Sequence, residues 1–253
     1  MKTDFVSKLT TLSFVLSLLA FGTPQLRAQS VYTGEHGDLG IEYTPGETEF
    51  EPHWHLHEGA IVDGSALTEE GEYAPSDLVA QTSSTSTATS TIASWLGIST
   101  GATLWTLGTE IHQPELGFGT EELTDSEWLD STITISLSGW ALGNPGDVIL
   151  VDAGNTLRFS TVAGSSVTND WAFDLAAGHA HLAWYFTNPG DYQLIFTWSG
   201  TYIGEDGTAS IPVTGTGTFG FSVVPEPGTW ALIAGAGLGL FAIVHRRRAL
   251  RQA

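Results

Sequence analysis

Three of the eight histidines fall on alternate positions in Pro52-His53-Trp54-His55-Leu56-His57-Glu58. In a β-strand, residues i, i+2 and i+4 leave the same face, so the three imidazoles point one way. Neighbouring rings stand about 7 Å apart at a rise of roughly 3.3 Å per residue, near enough for two of them to hold one ion. His53 and His57 are about twice as far apart, so one ion takes two of the three and finds its other ligands elsewhere. A second alternate pair, His179-Ala180-His181, is the candidate donor. The chain has no cysteine, so a metal site must be built from His, Asp, Glu or backbone oxygen. That donor set suits zinc first, and also manganese, copper or nickel.

The elements that must position these residues read as strands. Leu39, Ile41 and Tyr43 alternate with small or charged residues, and Thr44-Pro45-Gly46-Glu47 forms a turn back into the histidine strand. This predicts a hairpin that brings His36 or Asp38 near the face of His53, His55 and His57. Gly178 to Phe196 reads as the clearest hairpin, turning at Asn188-Pro189-Gly190-Asp191, with Tyr192, Leu194, Phe196 and Trp198 facing inward. Ile133, Ile135 and Leu137 mark another half-buried strand, and Val148 to Val151 a fully buried one. The Ser/Thr-rich run 81–91 is expected to be a mobile loop, and no stretch shows a sustained helical period. Gly97-Ile98-Ser99-Thr100-Gly101 fits the G-x-S-x-G pattern of serine hydrolases but lacks the buried strand and helix that flank a nucleophile elbow. The expected fold is all-β, an antiparallel β-sandwich over residues 29–222.

Both ends differ from this domain. Residues 1–28 carry Lys2 and Lys8, an apolar run from Leu12 to Phe21, and a small residue at Ala28, the layout of a signal peptide. Near the other end, Pro225-Glu226-Pro227 leads into Thr229 to Val244, without a charge, and then Arg246, Arg247 and Arg248. The uncharged run 229–244 is expected to be a transmembrane helix of about 24 Å, with the arginines cytoplasmic and the domain outside. Of the 28 Asp and Glu and eight Lys and Arg in the chain, residues 29–224 hold 26 and one, Arg158. Such a surface repels nucleic acid and anionic lipid, and it concentrates cations.

The terminal segment 223–253 resembles the PEP-CTERM sorting signal of Gram-negative bacteria, in the order Pro-Glu-Pro, short apolar helix, arginine cluster. The resemblance implies passage through the inner membrane, processing by an exosortase-type enzyme, and delivery to the cell surface or extracellular matrix. The domain resembles the actinobacterial-type surface-anchored domain of choice-of-anchor proteins. The residues that carry this are Gly34, His36, Asp38, Ile41 and Tyr43, then His179, His181, Trp184, Phe186, Pro189, Gly190 and Tyr192. That likeness implies association with a metal ABC-transport system. The expected function is non-enzymatic binding of a divalent transition metal, with zinc as cofactor, through His53, His55, His57, His179, His181 and His36. The alternative is a structural or adhesive matrix protein with no metal role. A metallohydrolase using Glu51 or Glu58 as base would be a third class, but no H-E-x-x-H helix is present.

Overall fold

The computed structural model describes residues 29–108 and 114–225. The expected signal peptide, His112, Glu226, Pro227, the apolar run 229–244 and Arg246, Arg247 and Arg248 lie outside the described residues. No helix among the described residues is long and apolar enough to cross a membrane. In chain order the strands are β1 (Ser30–Glu42), β2 (Glu51–Leu56), β3 (Ile61–Val62), β4 (Ser65–Ala66), β5 (Gly71–Tyr73), β6 (Leu78–Thr82) and β7 (Thr85–Thr87). A short helix α1 (Ser90–Leu96) precedes β8 (Thr103–Leu107), β9 (Pro114–Gly119), β10 (Thr132–Trp140), β11 (Val148–Asp152) and β12 (Leu157–Ser160). The chain then forms β13 (Asp170–Asp174), β14 (His179–Phe186), β15 (Gly190–Tyr202) and β16 (Ile211–Val223).

These strands make one curled, open sheet with the path β12-β11-β14-β9-β1-β6-β16-β15-β10-β13. The alternation in the sequence places one side of each strand in the core: Leu39 and Ile41, Trp54 and Leu56, Leu116 and Phe118, Leu182 and Trp184 are all buried. Curling brings the two halves of the path face to face, with Phe118 of β9 at 5.1 Å from Phe196 of β15 and Trp184 of β14 at 4.9 Å from Phe221 of β16. The long strand β1 serves both halves. Its first residues, Ser30 to Tyr32, pair with β6, while Glu35 to Leu39 pair with β9. Between them the register slips and Glu35 adopts a φ of 67°, which re-aims the strand from one half to the other.

Three sequence expectations are corrected. The sheet is mixed rather than purely antiparallel, because β1–β6, β1–β9 and β6–β16 are parallel ladders. The segments on either side of Asn188-Pro189-Gly190 do not pair as a hairpin. β14 pairs with β8, β9 and β11, and β15 with β10 and β16. The turn instead carries the chain across the core as an arch, with Phe186 facing Tyr192 at 5.0 Å and the Tyr192 hydroxyl donating to Asn188 O at 2.7 Å. The inward set Tyr192, Leu194, Phe196 and Trp198 is as the alternation requires.

The run 81–91 is ordered too. Thr82 is buried and its hydroxyl donates to Thr106 O at 2.8 Å, Thr85 to Thr87 pair with β8, and Thr89 caps α1 by accepting from Ile92 N at 3.3 Å. Gly97, the first glycine of the G-x-S-x-G run, closes α1 at a φ of 65°, so that glycine serves as a helix cap and not as part of a nucleophile elbow. Phe118→Ala should lower unfolding free energy by about 3–5 kcal/mol, since the ring sits between the two halves. Thr89→Ala should lower it by only about 1 kcal/mol, both read from urea denaturation midpoints.

Candidate metal centre

The inward residues of β14, β9, β1 and β2 are pinned in the core, so the residues between them share the opposite face. Cross-strand register then aligns a single rung, His181 with Gly117, Gly117 with Asp38, Asp38 with His55, and His55 with Glu72. On the neighbouring rungs His179 opposes Gly119 and His53 opposes Gly40. His57 lies just past the end of β2, and its backbone N–H donates to His36 O at 3.2 Å, extending the ladder by one bond. The predicted proximity of His36 and Asp38 to the histidine strand is therefore present.

Glycines form the floor. A Cβ at Gly117 would lie 2.9 Å from Asp38 Oδ1, and one at Gly40 would lie 2.6 Å from His53 Nε2. Their bare backbone leaves room for the long side chains of the adjacent strands to lean together.

The result is a continuous row of six imidazoles. His179 and His181 have ring centres 5.2 Å apart, and both flank His36, at 5.1 and 4.6 Å. His36 stacks on His57 at 3.9 Å, His57 on His55 at 4.9 Å, and His55 lies 6.0 Å from His53. The row does not converge on one point. The donor atoms of His36, His179 and His181 lie within 4.8 Å of one another, as do those of His36, Asp38 and His57, so His36 joins these two groups. His53 and His55 form a separate group with Glu122, and His55 and His57 another with Glu70. No group of donor atoms joins the His53 to His57 strand with the His179 pair directly, and His57 approaches the pair only by way of His36.

Donor atoms at the centre lie close together. His36 Nε2 stands 2.9 Å from His181 Nε2 and 3.2 Å from Asp38 Oδ2, and His57 Nε2 stands 3.4 Å from the same oxygen. Tetrahedral ligands bonded at 2.0–2.1 Å lie about 3.3 Å from one another. His179 Nδ1 meets Glu121 Oε1 at 2.6 Å, the carboxylate–histidine pairing that leaves Nε2 free to ligate. Asp38 is fully buried, and neither of its carboxylate oxygens has a hydrogen-bond partner; His57 Nε2 is buried and unpartnered as well. A carboxylate held in that state calls for a cation beside it, which protonated His36 at 3.2 Å supplies in the metal-free protein and which a metal ion on the same donors would also supply.

The same geometry separates the imidazoles electrostatically. The Asp38 carboxylate raises the pKa of His36 above 6.5, against the effect of burial. Burial lowers that of His181, helped by His36 and His179 and opposed by Asp38. For His53, burial acts downward but the Glu122 carboxylate and Glu51 carbonyl outweigh it, and the pKa rises. Arg158, the single Lys or Arg of residues 29–224, is bound to Asp152 at 2.6 Å, so no fixed cation of the domain neutralises the row.

Sequence reasoning did not find Glu70, Glu121 and Glu122, nor the glycine floor. The Leu116-Gly117-Phe118-Gly119 alternation is the signal that could have marked β9 as a strand with an empty outer face.

Residues 223–249 match the PEP-CTERM protein-sorting motif. The match covers the tail alone and supports an exported protein, transiently membrane-anchored and then processed by an exosortase-type enzyme. No curated protein and no solved structure matches the chain. The likeness to choice-of-anchor domains, and the transport partner it implies, therefore have no support from relatives.

In metal-free protein His36 should titrate above 6.5 and His181 below it. The His36–Asp38 pairing then stabilises the fold fully below about pH 6.5 and is lost as pH rises through the higher folded value. His181 has the opposite sign, with its contribution lost as pH falls below about 6.5. Imidazole NMR titrations check both, and Asp38→Asn should move the His36 midpoint down.

Proposed function

We propose that the exported domain is a non-enzymatic binder of a divalent transition ion at the bacterial surface or in its matrix, with zinc the first candidate. His36, His179 and His181 are the imidazole ligands, and Asp38 and His57 form the adjoining donor group that shares His36. The observation that carries this reading is the fully buried Asp38 carboxylate, with Oδ2 3.2 Å from His36 Nε2 and 3.4 Å from His57 Nε2. A donor set of imidazoles with one carboxylate favours zinc, and copper, nickel or manganese would compete by the same donors.

Capture rather than catalysis is supported by the surroundings of the row. Glu51, a candidate base, meets it through its main-chain oxygen, 3.0 Å from His53 Nδ1. The 26 acidic residues of the domain raise the local concentration of cations at such a face. An ion held this way outside the cell is available for hand-off to a metal transport system.

Calorimetric titration of the purified full chain with Zn²⁺, after chelator treatment, tests the reading. His36→Ala and His181→Ala should each weaken the tightest binding by more than tenfold. Glu121→Gln should weaken it by roughly 10–100-fold, by releasing the His179 ring. Affinity should fall as pH drops below about 6.5, because protons compete for the same nitrogens. Isotherms unchanged by both histidine substitutions would remove the proposal.

A further inference from the structure

The far end of the row is not needed by the centre just described, and its own geometry points to a ligand. Glu122 Oε1 stands 3.1 Å from His53 Nε2 and 3.4 Å from His55 Nδ1, again close to the edge of a tetrahedral shell. His53 Nδ1 donates to Glu51 O at 3.0 Å, so Nε2 is the nitrogen left to face Glu122. In the metal-free protein a proton on Nε2 bridges that 3.1 Å contact, and a divalent ion held by the same atoms would take its place. His53 and His55 are both buried, at 8 % and 9 % exposure, which limits how well water can serve instead.

We propose that His53, His55 and Glu122 hold a second divalent transition ion, so that one face of the protein carries two. The proposal rests on the metal-binding reading of the centre and extends it. Both sites can fill together because they draw on different atoms. His55 offers Nδ1 to the Glu122 site and has Nε2 at 3.7 Å from Glu70 Oε2. His57 offers Nε2 to the Asp38 side and has Nδ1 at 3.7 Å from Glu70 Oε1. Glu70 therefore stands between the two positions, reached by the spare nitrogen of each ring, and its negative charge offsets the repulsion of two nearby cations. The same pair of contacts gives an ion a stepping position between the sites.

Zinc content of the purified full chain, counted by elemental mass spectrometry after equilibration with a slight excess of Zn²⁺ and removal of free metal, tests this. Two ions per chain are expected, falling to one in Glu122→Gln and to one in His36→Ala, with the remaining ion differing between the two variants. Glu122 is partly exposed, so Glu122→Gln should keep the parent's circular dichroism, and His53→Ala serves as a second probe of the same site. One ion in the parent, lost in His36→Ala and unaffected by Glu122→Gln, overturns the second site while leaving the centre intact. No bound ion in the parent overturns both.

Discussion

A carboxylate taken out of water needs compensation, and much of this structure follows from where that requirement is placed. Asp38 sits in the middle of β1 with no exposed surface, flanked by the imidazoles of His36 on its own strand and of His57 just past β2. Desolvating such a group without a partner costs on the order of several kcal/mol, and His36 answers it, its pKa raised by the carboxylate beside it. The aromatic core beneath makes the arrangement stiff. Trp54, Phe118 and Trp184 anchor β2, β9 and β14 from below, and a slip of one residue in any of them would turn its outer face into the core. Packing on one side of the sheet thereby fixes the geometry on the other.

The acidic character of the domain acts over a longer range than these contacts. With its single arginine engaged by Asp152, nothing fixed offsets the negative field around the row. A surface of this sign is soluble, avoids nucleic acid and anionic lipid, and draws in small cations, all of which suit a protein that the tail motif marks for export.

What the sequence makes legible is local. The inward sets Leu39 and Ile41, Ile133 to Leu137, and Tyr192 to Trp198 are all buried as their alternation requires, because a period of two depends only on neighbouring residues. The first hairpin is legible as well, since the short connection between its arms carries the Thr44-Pro45-Gly46-Glu47 turn, closed by Glu47 N donating to Thr44 O at 3.1 Å. Strand order is not. β9 and β6 reach β1 through long connections that leave no short-range trace, and the Asn-Pro-Gly-Asp turn looks the same whether the chain folds back in the sheet or arches across the core. At the site, the alternating histidines announce themselves, while Glu121 and Glu122 resemble any solvated acidic loop. Their role appears only when Thr120 N binds Gly178 O, which lays the loop beside His179. The helix at Ser90 is too short to show a period, and its capping threonine is hidden in a run of similar residues.

The last strand has a consequence for maturation. β16 lies inside the sheet, hydrogen-bonded to β15 along all of its 13 residues and to β6 on its other edge, and Val224 N still donates to Thr82 O immediately before Pro225. The export tag is thus grafted onto an interior strand, with no slack tether before it. A protease that requires extended substrate is shut out of everything up to Val224 once the domain has folded. Completion of the sheet itself therefore sets how far the mature C-terminus can be trimmed back.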